Sequence, residues 1–165
     1  MRWDNIDEQV CSLARSLSIV GDRWTLLILR NIFLDVQRFS ALQKSLGITK
    51  HRLSDRLQRL VESGILKKEP YDEKHNYYQY VLTEKGDDLY NVIFSFVQWG
   101  DKWLADDDGV PMEHVHTHCG KVTQPILACN ECGETINHRD LKVKMGPGIK
   151  AKLKRGEGIG FPLNV

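Results

Sequence analysis

Apolar side chains recur at three- and four-residue intervals as far as Gly64, alternate from there to Thr83, and return to the helical interval until about Ala105. Val10, Leu13, Ala14 and Leu17 carry the first helical pattern across residues 8–20, and Gly21-Asp22 ends it. The stretch "RWTLLILRNIFL" is apolar on most sides and predicts a buried helix. "RFSALQKSLG" predicts a short one, with Ser40 placed to cap and Gly47 to terminate. In "ITKHRLSDRLQRLVESGIL", Thr49 is the expected cap, Leu53, Leu57, Leu60 and Val61 share one face, and Gly64 is the stop. "ILKKEP" and "YYQYVLT" then flank a polar turn, "YDEKHN", as a hairpin. Thr83 and Glu84 open what reads as one long helix to about Ala105. Its stripe of Leu89, Val92, Ile93, Phe96, Val97 and Trp103 is widened by Tyr90, Phe94 and Trp99, more than one small core needs, which points to a partner subunit.

"ADDDGVP" at 105–111 is an acidic linker closed by Gly and Pro. The chain therefore divides into residues 1–105, a Cys/His-bearing extension at 106–145, and a Gly-rich basic tail at 146–165 without periodicity.

Composition adds little until its distribution is considered. A chain of 165 residues, 41% hydrophobic and 27% charged, is one globular domain with an appendage, and its net charge of +1 names no partner. Residues 49–68, however, carry six basic side chains against two acidic, and residues 84–108 seven acidic against two basic. That segregation predicts one face for a polyanion and another turned away from it. No apolar run approaches a membrane span, and Met1 is followed by Arg2, Trp3 and Asp4 rather than an apolar signal region, so a cytosolic protein is expected. In that compartment four cysteines suggest metal ligands or reactive thiols before disulfides.

The order of elements, helices with a fourth basic one and then a hairpin, is that of a winged helix-turn-helix: mainly α with a small β wing. With its leucines inward, the 49–64 helix turns His51, Arg52, Asp55, Gln58 and Arg59 outward, flanked by Lys50, Ser54 and Arg56. Such a helix suits the major groove of DNA, where Arg and Lys read guanine and Gln reads adenine, or where the cations hold phosphates and set the register. The plain alternative is a solvated surface helix. The hairpin tip offers Lys74, His75 and Asn76 to a neighbouring groove, against which Asp72 and Glu73 count.

In "HTHCGKVTQPILACNECG", His116 and Cys119, then Cys129 and Cys132, form two pairs with two residues inside each and nine between them for a short hairpin. Four such ligands predict a closed, structural Zn2+ site in a small zinc-ribbon-like β extension. His114, His118 and His138 compete for the imidazole position. Two rival readings are a Cys129/Cys132 redox pair and a metal-free hairpin.

"CSLARSLSIVGDRWTLLILRNIF", "RFSALQKSLGITKHRLSDRLQRLVESGIL" and "YYQYVLTEKGDDL" resemble the HxlR family of bacterial transcription regulators, close to the MarR-type winged helix proteins. The resemblance covers roughly residues 8–104. It implies a homodimer held by terminal helices, here through Leu13, Leu17, Tyr90, Phe94 and Trp99, that binds an inverted repeat in promoter DNA as a repressor under a small-molecule or oxidant effector. It also implies that Cys11 matches a position where some members sense oxidants or electrophiles, although Ser12 stands where a Pro often follows. Arg15, one turn on, stands where it can lower the thiol pKa; a small packed side chain is the alternative. No catalytic constellation stands out, so an enzyme is not expected. The runner-up functions are a thiol redox protein or a zinc-dependent interaction module built on the extension.

Overall fold

The computed structural model describes residues 3–72 and 77–160. It forms two compact units that meet between Phe94 and Ser95, inside one helix. Elements follow in the order of a 3-10 turn at Trp3–Glu8, α1 (Ser12–Val20), α2 (Arg23–Phe33), α3 (Phe39–Leu46), α4 (Lys50–Glu62), β1 (Leu66–Asp72), β2 (Tyr77–Leu82), α5 (Glu84–Asp87), α6 (Tyr90–Leu104), β3 (Val115–His116), β4 (Lys121–Val122) and α7 (Pro147–Lys154).

Local chemistry explains where the helices start and stop. The Asp22 carboxylate accepts the backbone N–H groups of Trp24 and Thr25 at 3.0 and 3.3 Å and so caps α2. α3 begins one residue before Ser40, with Arg38 at its cap and no side-chain cap bond, so Ser40 does not play the capping part its sequence position suggested. Gly47 does end α3, in the left-handed region at φ 62° that a side chain would strain. Thr49 caps α4 as expected. Beyond α4, Gly64 N–H bonds Val61 O and Ile65 N–H bonds Leu60 O at 3.0 and 2.9 Å. This pair of bonds is a Schellman stop, and it drops the buried Ile65 against Leu60 before the strand begins.

One core serves α2, α3, α4 and the start of β1. Ile28, Leu29, Leu42, Leu53, Leu57, Leu60, Ile65 and Leu66 are all closed to solvent within it. β1 and β2 pair antiparallel from Leu66↔Leu82 to Pro70↔Tyr78, with the register slipping between Pro70 and Asp72. The segment before α3 joins them: Tyr80 N–H bonds Gln37 O at 2.9 Å and Arg38 bridges Gln79. The wing is thus tied by backbone to the helix-turn-helix.

The single long helix expected from Glu84 is two. α5 is one turn, capped by Thr83, whose hydroxyl also donates to Gly64 O at 2.7 Å. Gly86 lies so close to the chain that a Cβ there would meet Ile65 O at 2.3 Å. Leu89 N–H then bonds Gly86 O, three residues back, and the tightened turn re-aims the chain before α6 starts. The break is not visible in the apolar period, which continues across it.

In the second unit no described residue is buried. β3 and β4 pair Val115↔Val122 and His116↔Lys121, and Ala128 bridges Thr135. The expected hairpin between the two Cys/His pairs is replaced by two small turns, each carrying one pair at its tip. The tail, which has no periodicity in sequence, nonetheless carries one helix: Gly146-Pro147 start α7, with Pro at the first turn where its missing N–H costs nothing.

Candidate nucleic-acid interface

α4 presents the basic face. Leu53, Leu57 and Leu60 are fully buried, and Lys50, His51, Arg52, Ser54, Gln58 and Arg59 are exposed. Among the described residues, the Lys50, His51 and Arg52 side chains have no partner, and they sit on the first turn, where helix N–H groups add a partial positive charge. The rest of the face is partly engaged. Gln58 donates to Glu62 at 2.8 Å, and Arg59 lies 3.4 Å from Asp55.

Arg56 is held inward. Its Nε donates to Asp22 Oδ1 at 2.9 Å, Nη2 to Asp22 Oδ2 at 3.3 Å, and Nη1 to Asp55. The same Asp22 carboxylate therefore caps α2 and grips α4. Burial pushes its carboxyl pKa up, but the Arg56 hydrogen bond and charge, with the Thr25 and Trp24 N–H groups, outweigh this and leave it below the ordinary value. The Arg56 guanidinium is raised, first by the Asp22 hydrogen bond.

Sequence reading missed a second basic surface. A cavity of about 510 Å³ opens between the start of α3 and the wing, lined by Arg38, Ser40, Lys68, Tyr71, Tyr77, Tyr78 and Tyr80 among others. The Arg38 guanidinium sits 4.2 Å over the Tyr71 ring, and Tyr71 stacks on Tyr77. Cations and phenol hydroxyls in one groove are donors suited to phosphate oxygens. The lysines of "KKEPY" opposite the tyrosines of "YYQY" were the available signal; the Arg38↔Gln79 bridge that brings α3 to the wing was not in it. Lys74, His75 and Asn76 lie outside the described residues.

The remaining candidates are placed as follows. Cys11 is half-buried at the cap of α1, and Arg15 Nε donates to Gln9 O at 2.9 Å. Leu13 is exposed and Leu17 half-buried. Tyr90 packs edge-on against Phe33 and stacks on Phe94, and Phe94 is buried in its own chain. Trp99 is 57% exposed, with Phe96 and Trp103 at 62% and 64%. His116 Nδ1 stands 3.4 Å from Cys119 Sγ, and its ring stacks on His118. Cys129 is lowered in pKa by the backbone N–H groups of Cys132 and Glu131 and by the Cys132 thiol. Among the described residues no three His, Cys, Asp or Glu side chains converge as one metal-binding group. No described helix is long and apolar enough to cross a membrane.

A helix-turn-helix with an exposed basic second helix and a paired wing defines a DNA-binding transcription regulator. The chain belongs to the HxlR-like helix-turn-helix family, whose model matches residues 19–108. It is 45% identical over 142 residues to an uncharacterized HTH-type transcriptional regulator of Mycobacterium tuberculosis (strain ATCC 25618 / H37Rv), covering 86% of this chain and 90% of that one. That match is longer than residues 1–108, so it reaches into the extension. The crystal structure of PA1607, described as a candidate transcription factor, superposes with a TM-score of 0.76 at 30% identity, covering 85% of this chain and 98% of that one. PA1374 from Pseudomonas aeruginosa, described likewise, gives 0.57 at 35% identity over 83% of this chain and 93% of that one. The family regulates transcription and is not a family of enzymes.

Proposed function

We propose that the protein is a homodimeric repressor that binds an inverted-repeat operator, with the first turn of α4 in the major groove and the tyrosine-lined groove on the adjoining backbone. The observation that carries this is the exposed set Lys50, His51 and Arg52, without side-chain partners among the described residues, on the turn where helix polarity favours an anion. A two-fold dimer spaces two such helices about 34–36 Å apart, one turn of DNA, and a bound dimer of that span covers enough duplex to occlude a promoter. Work on double-stranded DNA implies a cytoplasmic protein at the nucleoid.

Selection of bound duplexes from random DNA is the direct test, and an enriched inverted repeat is the expected result. On that operator Arg52→Ala should cost about 1–3 kcal/mol and relax preference at one position if the side chain reads a base; a phosphate contact would instead weaken all sequences alike and flatten the salt dependence. Arg56→Ala should act through stability, because its guanidinium is already spent on Asp22 and Asp55. No enriched sequence, or unchanged affinity for Arg52→Ala and Lys50→Ala together, would remove α4 from the groove.

The same reading gives the oxidant-sensing role to Cys11. Diamide should release wild type from the operator and leave Cys11→Ser bound; equal release of both would take the role from that thiol.

A further inference from the structure

The extension is built like a metal site in two halves. In the first, β3 and β4 hold a turn in which Cys119 N–H and Gly120 N–H both bond His116 O, at 3.2 and 2.7 Å. In the second, Gly133 N–H bonds Cys129 O at 2.8 Å, and Cys129 N–H bonds Glu134 O across the same turn. Gly120 and Gly133 both follow the last sulfur of their pair in the left-handed region, at φ 67° and 76°. Each turn thereby points its two ligating side chains the same way. His116 Nδ1 and Cys119 Sγ are 3.4 Å apart, and Cys129 and Cys132 line one small cavity together.

Packing does not explain why this arrangement should persist. Every described residue from Ser95 onward is exposed or half-buried, including Val115, Val122, Ile126, Leu127 and Leu141. Backbone pairing there is limited to two-residue strands and a few bridges. A segment with so little core needs a cross-link from elsewhere.

We propose that the two turns close on one thiophilic divalent cation of the zinc class, with His116, Cys119, Cys129 and Cys132 as its four ligands. Three sulfurs and an imidazole suit that class, and a four-ligand shell leaves no open position for catalysis. Since no three of these side chains converge in the structure, closure accompanies binding, and the metal supplies order that the apolar residues do not. Of the two stacked imidazoles, His116 is the one whose Nδ1 stands 3.4 Å from the Cys119 sulfur, which makes it the ligand of the first turn.

The test uses the full chain purified anaerobically without chelator. About one zinc per chain is expected, and replacement by cobalt should give the intense thiolate-to-metal and visible bands of tetrahedral coordination. Cys132→Ser and Cys119→Ser should each lose the metal or the tetrahedral bands, and His118→Ala should keep both. Chelation should open residues 112–140 to protease while residues 8–94 stay resistant. Cobalt titration of the wild-type chain decides the matter should a variant fail to fold. Absence of metal, cobalt bands without thiolate character, metal retained by both serine variants, or loss in His118→Ala would each overturn the assignment.

Discussion

Glutamate at both Phe96 and Trp103 is expected to turn the dimer into monomers and to weaken operator binding on the order of 10²- to 10⁴-fold. Phe96, Trp99 and Trp103 follow one another at three- and four-residue steps on α6 and share a face, and that face is more than half open to solvent at each position. Rings so exposed mark a surface made for a partner, and the homodimer proposed here is that partner. Two carboxylates at the centre of such an interface must be desolvated, and Lys102, which lies 5.0 Å from the Trp103 ring, can offset only one of them. The large effect on DNA follows because each protomer brings one recognition helix, and covalently independent halves lose the effective concentration that the dimer gives them. Sedimentation equilibrium at micromolar protein reads the first effect and titration of the selected operator the second. A duplex carrying one half-site should bind wild type and variant alike, because α4 is untouched. Wild-type protein that sediments as a monomer with and without DNA would refute the dimer itself.

Asp22→Ala should lower the stability of the first unit by about 0.5–3 kcal/mol. Loss of a helix cap costs about 0.5–2 kcal/mol, and loss of a partly solvated ion pair about 0–1 kcal/mol more. Here one carboxylate does both, capping α2 and holding Arg56 of α4. Asp22→Asn keeps a capping oxygen and should cost less than half as much. The pH dependence has a definite sign. The folded-state carboxyl titrates below its ordinary 3.8, so its contribution is complete above that value and is lost as pH falls through the lower folded value. Urea unfolding of wild type should therefore weaken more steeply below pH 4 than that of Asp22→Ala. Stability within about 0.5 kcal/mol of wild type, the range of ordinary surface changes, would remove the clasp from the account.

Much of this was legible in the chain. The leucine spacing of α4, Thr49 ahead of it and Gly64 behind it locate the basic helix, because capping and side-chain period act over only a few residues. The change from a period of four to one of two after Gly64 marked the wing for the same reason. Other readings failed at helix ends that lie beside a distant part of the backbone. Ser40 has the residue type of a cap, but α3 starts one residue before it, at Phe39, next to the Arg38 that bridges Gln79. The apolar stripe runs unbroken from Leu89 to Trp103, while the chain before it tightens where Leu89 N–H bonds Gly86 O, and α5 ends there.

The division of labour is clearest on α4. Which residues could face DNA was determined by sequence alone, since the buried leucines leave only one outward face. Which of the cations are available to DNA was decided by tertiary structure. Asp22, 34 positions before Arg56, takes that guanidinium for itself, while Lys50 and Arg52 are left to solvent. The groove of Arg38, Lys68 and the wing tyrosines likewise exists only because β2 pairs with the segment before α3. Periodicity records how a side chain is turned about its own element; it holds no record of which charge from another element will reach it first.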